Sequence, residues 1–255
     1  MRMIGMTRGL ALCVLLASVG VPTTAQAQKN AVEIPLRLHD GRLLVPVVAA
    51  DGTEYEFALS TVNASTILTA STAAKIGSQA VTVDGLAVHM DGFATIPDAQ
   101  LGADGMIASN TLFDYDVLID VAGARLVLKP FGREVAWEGI TLSEPVRLQV
   151  LHGVIFMLSV ELNDQSYQAT IDLGTQNTLV SSPAGTALGI TGAGTATLGI
   201  GTVNRSAFPV KVQDLDVFSR FDPTGKGFVM LGAPLALDCV ISLSWIHREM
   251  RTCVR

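Results

Sequence analysis

The sequence predicts an all-β protein that uses one strand-turn-strand unit twice, each copy closed by a short helix. Three observations carry this. Residues 44–77, moved forward by 112 positions, fall on residues 156–189 without a gap. Apolar and polar residues alternate over residues 53–59 and again over 165–171, the period of a half-buried strand, while helical periodicity is scarce. Turn-forming pairs, Asp51-Gly52 and Asn163-Asp164, sit at matched places between the strands. Identities within the repeat are few (Val48 and Val160, Tyr55 and Tyr167, Thr66 and Thr178, Gly77 and Gly189), so the pattern carries the match. Each copy presents one tripeptide after its second strand, Ser60-Thr61-Val62 and Asp172-Leu173-Gly174. A duplicated unit of this kind places a site at a pseudo-two-fold interface.

From the N-terminus, residues 1–27 read as a secretory signal. Arg2 and Arg8 precede the apolar run 10–21, and Ala25-Gln26-Ala27 has the small-x-small form of a cleavage site. The run is short for a membrane span, no later stretch reaches that length, and Leu12 before Cys13 does not fit a lipoprotein signal. The expected mature chain starts near Gln28, is periplasmic or secreted, and has no stable membrane insertion. Losing two arginines and no acid takes its formal charge from −6 to −8, which argues against nucleic acid as a partner.

Residues 28–42 form a lead-in with one expected edge strand at 32–38. The first unit runs over 43–130, a connection over 130–145, and the second unit over 145–255. Each unit holds a hairpin that could project, at 81–89 turning on Asp84-Gly85, and at 195–204 with Gly199 and Gly201; tight turns are reason enough for these glycines. Residues 106–109 echo 229–232 at an offset of 123. That offset implies an eleven-residue insertion in the glycine-rich stretch 192–227 and sets Ser109 opposite Gly232. Closing hairpins follow, 117–120 with 125–128 and 240–243 with 250–254. Cys239 and Cys253 flank the second. In an oxidising compartment they are expected to form a disulfide, the alternative being two unpaired core thiols.

With these motifs in order, the chain resembles the aspartic peptidase superfamily, specifically bacterial exported, retropepsin-like proteins with both lobes on one chain. Ala73-Ala74-Lys75-Ile76-Gly77 and Ala187-Leu188-Gly189 resemble the helix ends of that pattern, and Asp104-Gly105-Met106-Ile107 and Met230-Leu231-Gly232-Ala233-Pro234 its later step. The resemblance covers nearly all of the mature chain. It implies a two-lobed acid-protease (pepsin- or retropepsin-like) fold, with residues 28–135 and 136–255 as lobes, and a cleft that needs no second copy of the chain. It also implies a peptide or protein segment as the partner in that cleft, with no cofactor.

The resemblance also marks what has changed. In the family each lobe supplies one Asp, and the two carboxylates share a proton because like charges at close range drive their pKa values apart. Ser60 stands at the first of these positions, so only Asp172 keeps a carboxyl. Thr61 keeps the residue that knits the two loops, but its counterpart is Leu173; Gly174 is kept, but its counterpart is Val62. Asp172 is then ionised at neutral pH unless burial intervenes, and a hydroxyl is too weak an acid to replace a carboxyl. Three roles stay open for Asp172: a structural acid at a strand-to-turn junction, a ligand contact, or a catalytic group. The family reading therefore divides into a catalytically impaired peptide binder and an active endopeptidase relying on Asp172.

Other chemistry finds little support. His39, His89, His152 and His247 are scattered without metal-binding spacing, so no metal site is expected. A Ser60 or Ser65 nucleophile lacks a recognisable His base. Gly192-Ala193-Gly194 is not followed by Gly-Lys-Ser/Thr, which argues against a phosphate-binding loop. Asp104 and Asp120 match structural family positions.

Overall fold

The computed structural model describes residues 31–131, 137–222 and 224–253. The signal expected over residues 1–27 and part of the connection lie outside them. The first half contains β1 (Val32–Pro35), β2 (Arg37–His39), β3 (Arg42–Ala49), β4 (Glu54–Leu59), β5 (Ile67–Thr69), α1 (Ala70–Ile76), β6 (Val81–Val83), β7 (Leu86–Ala87), β8 (Ala94–Ile96), α2 (Asp98–Leu101), β9 (Gly105–Ile107), β10 (Tyr115–Asp120) and β11 (Arg125–Pro130). The second contains β12 (Val146–Arg147), β13 (Gln149–Leu151), β14 (Ile155–Leu162), β15 (Gln165–Ile171), β16 (Leu179–Val180), α3 (Ser182–Leu188), β17 (Ala193–Ile200), β18 (Val203–Val212), α4 (Phe218–Phe221), β19 (Phe228–Leu231), α5 (Pro234–Leu237), β20 (Ile241–Ser244) and β21 (Glu249–Thr252). The protein is mostly β, as the alternation predicted, and its sheets are barrel-like.

The repeat is written into the sheets. One sheet runs β7-β6-β3-β4-β9-β5-β8, with β2 against β3; the other runs β13-β14-β15-β19-β16-β18-β17 and closes through β14 and β17. In the first, β4 runs parallel to β9 with Leu59 beside Ile107; in the second, β15 runs parallel to β19 with Ile171 beside Leu231. Leu59 and Ile171 are 112 residues apart, but Ile107 and Leu231 are 124 apart. The offset of 123 read from the sequence is therefore one residue short. Gly232 stands opposite Ala108, not Ser109, and the second half carries twelve additional residues between the landmarks.

A third sheet, β1-β11-β10-β20-β21-β12, takes three strands from each half. Its central pair is antiparallel, with Leu118 beside Ser242, two residues also 124 apart. The pseudo-two-fold axis therefore passes through this pair. The lead-in forms two strands, not one: β1 joins β11, β2 joins β3, and buried Leu36 lies between them with its N–H donating to Ala124 O at 2.9 Å. One core cluster runs from Ile34 through Phe57, Phe156 and Leu173 to Met250, joining both halves.

The local devices are legible. Thr69 caps α1 by accepting from Thr72 N, and Gly77 and Gly189 end the two matched helices at φ 57° and 70°. Asp84 and Gly85 turn β6 into β7 at φ 45° and 77°, the left-handed pair that a two-residue hairpin requires. Cys239 and Cys253 form the expected disulfide, their Cα atoms 5.5 Å apart, across the base of the β20–β21 hairpin. Among the described residues no helix is long and apolar enough to cross a membrane.

Candidate functional site

Two chain segments leave parallel strand pairs side by side. Ser60 N donates to Ile107 O at 3.0 Å and Asp172 N to Leu231 O at 2.8 Å, so the two tripeptides begin from the same backbone position in each half. Their side chains meet. Ser60 Oγ donates to Asp172 Oδ1 at 3.2 Å, and Gly174 N donates to the same oxygen at 3.2 Å. Both residues are buried.

Thr61 ties the segments together. Its Oγ1 donates to Ile171 O at 2.5 Å and accepts from Leu173 N at 3.4 Å. The reciprocal arm is missing, because Leu173 has no hydroxyl and packs into the core. Gly174 has a steric reason: a Cβ there would meet Leu59 O at 3.0 Å and Asp172 Oδ1 at 3.3 Å. Val62 stands at the corresponding position and is half-buried.

Asn63 and Thr175 complete the site, and the sequence reading did not single them out. Asn63 Nδ2 donates to Ser60 Oγ at 2.9 Å, joined by Asn63 N at 3.3 Å. Thr175 Oγ1 donates to Asp172 O at 2.7 Å. They lie 112 residues apart, so the repeat itself held the signal. Because the Ser60 proton goes to Asp172 and its oxygen accepts from Asn63, the hydroxyl is engaged on both sides. No His takes part in these contacts, which leaves a serine nucleophile without a base.

Burial pushes the Asp172 carboxyl up from the usual carboxylate range to about 6; hydrogen bonds from Gly174 N, Ser60 Oγ and the Thr61 backbone oppose that shift. No neighbouring carboxylate contributes. The group is therefore mostly ionised at pH 7 and mostly protonated at pH 5, and burial does intervene where the sequence left the question open. Since the folded-state pKa lies above the ordinary 3.8, the folded state binds more protons between about pH 4 and 6. Stability falls as pH rises through that window, by about 3 kcal/mol at full ionisation. Asp172→Asn keeps an acceptor for Gly174 N–H and removes the charge. It is expected to unfold at a higher temperature than the parent at pH 7.5, with the gap closing by about pH 4. Thermal melts across that range check this, and a gap independent of pH would count against it.

The remaining acids are accounted for separately. Asp104 Oδ2 accepts from Glu56 N at 2.9 Å, and Asp120 accepts from Gly123 N at 2.8 Å and Arg125 Nε at 3.0 Å, so both are structural. Asp116 is buried, and neither carboxylate oxygen has a hydrogen-bond partner among the described residues. A cavity of about 560 Å³ is lined by Asp84, Leu86, His89, Asp114 and Tyr115, without Ser60 or Asp172. Among the described residues no group of three or more His, Cys, Asp or Glu could hold a metal ion. No protein-family model matches the chain, and no curated protein matches it.

Proposed function

We propose that this chain is an exported aspartic peptidase-like protein with the two-lobed acid-protease fold, residues 28–135 and 136–255 forming the lobes, that holds an extended peptide or protein segment between its halves and is catalytically impaired. The observation that carries this is the Ser60–Asp172 contact: equivalent backbone positions of two repeated sheets meet at 3.2 Å, with a carboxyl on one side only. A two-carboxylate mechanism needs one ionised group to activate water and one protonated group to polarise the scissile carbonyl. Ser60 cannot supply the second, and losing one member of a pair that acts as a unit costs several orders of magnitude in rate. Binding needs less. The end strand β7 leaves one side of its backbone outside the ladder, where an extended segment could add main-chain hydrogen bonds.

One observation favours a second reading, an active endopeptidase relying on Asp172. With its pKa pushed up to about 6, this carboxyl exchanges its proton in mildly acidic solution, where a general acid or base is effective. The two readings separate in one experiment. The protein beginning at Gln28 is mixed with a quenched random-peptide library from pH 3 to pH 8, beside Asp172→Asn, and both cleavage and retention of intact peptide are read. Intact retained peptides are the expected result. Cleavage that Asp172→Asn abolishes would replace this reading with the second, and neither retention nor cleavage would overturn both.

A further inference from the structure

The protein has more acidic than basic residues, 23 against 17, yet one cavity beside the Asp172 loop collects two cations and no acid. Arg42, at the start of β3, and Lys211, near the end of β18, come from opposite halves and line the same space of about 310 Å³. The polar side chains around them are the neutral amides Gln100, Gln176, Asn177 and Gln213. Gly174 and Thr175 form part of the wall, so the cavity opens against the segment that holds Asp172. Neither Arg42 nor Lys211 makes an ion pair among the described residues, whereas Arg37–Glu56 and Arg251–Glu249 are paired at 2.8 and 3.0 Å.

Arg42 also packs against the neighbouring chain. It is half-buried, and its Nη1 would lie 2.8 Å from a Cβ on Gly102, so the guanidinium rests against that backbone. Gly41 brings the β2–β3 turn against Gln176, which joins the two halves at this wall. Arg42 and Lys211 both line this cavity, and a guanidinium and an ammonium together match the two oxygens of a carboxylate, whose shell the amide N–H groups can complete.

We propose that this cavity is a subsite for a carboxylate of the bound segment, carried by an Asp or Glu side chain or by the segment's C-terminus. The proposal rests on the peptide-binding reading above. It selects among segments by charge, and it explains why two cations from opposite halves converge beside the loop without a partner acid.

The test uses the chain from Gln28 at pH 7 and three labelled peptide libraries read by fluorescence anisotropy. One carries internal Glu with both ends blocked, one has no acid but a free C-terminal carboxylate, and one has no acid and blocked ends. At least one carboxylate library is expected to bind about tenfold tighter than the neutral one, and which of them does so identifies the source. Lys211→Met, at an exposed position, and Arg42→Gln should each reduce that advantage and leave neutral-library affinity unchanged. Equal binding of all three libraries would overturn the subsite and spare the peptide reading. An advantage that survives in the double variant would overturn the subsite too, and no binding by any library would overturn both.

Discussion

Replacing Ser60 by Asp is expected to raise peptide-bond hydrolysis by about 10³-fold over the parent chain, with the gain confined to acidic pH. The substitution puts a second carboxyl where a hydroxyl now stands 3.2 Å from Asp172 Oδ1. Asn63 N and Nδ2 already donate to Ser60 Oγ and would donate to one oxygen of the new carboxylate, as Gly174 N donates to Asp172 Oδ1. Two carboxylates at that distance cannot both ionise freely, so one apparent pKa falls and the other rises, and the pair divides into base and acid. Rates against pH on a quenched peptide should trace a bell, with Ser60→Ala as the flat control. A folded Ser60→Asp protein with no gain at any pH would remove the main support for reading these loops as a lapsed catalytic pair.

The second large effect is structural. Gly232→Ala is expected to lose about 3 kcal/mol, lowering Tm by roughly 6–12 °C for a chain of this size. A Cβ on Gly232 would collide with Asn177 O and lie 2.9 Å from Thr175 O, both backbone atoms. These atoms cannot yield cheaply, because Ala233 N donates to Thr175 O at 2.8 Å and Thr175 in turn holds Asp172. The damage should therefore reach the site as well as the melting temperature. Gly192→Ala makes the control: its Cβ would meet nothing within 4 Å, and a change within about 0.5 kcal/mol is expected. Parallel thermal melts compare them, and equal losses at the two positions would show that the close approach at Gly232 is not what matters.

The close fit at Gly232 bears on how far the sequence could be read. The 112-residue offset set Ser60 opposite Asp172, and the sheets agree with it from β4 and β15 through α1 and α3. Before that it fails by one residue: Val45 faces Phe57 where Leu158 faces Ala169, so β3 matches β14 at an offset of 113 and the first turn is one residue longer. It holds after the turn because strand alternation and helix ends repeat together there, each tied to a local backbone requirement. The later offset slipped by one residue because β9 and β19 are buried at every position. A strand without alternation carries no mark of which residue faces which partner, so only the ladder could set its register. The division of the lead-in at Leu36 escaped because alternation runs on through residues 32–38; the mark was Pro35, which lacks an N–H and ends β1.

Residue type at short or regular spacing was enough to read the class of secondary structure, the duplication, the hairpin turns, the expectation of a Cys239–Cys253 bridge and the placing of the Ser60 hydroxyl opposite the Asp172 carboxyl. Packing of distant segments set the 124-residue register, the bond from Ser60 to Asp172, the burial that lifts the Asp172 pKa to about 6, and the placing of Arg42 and Lys211 around one cavity. Desolvation and convergence arise when distant segments exclude water together, and no local run of residues records which segments those will be.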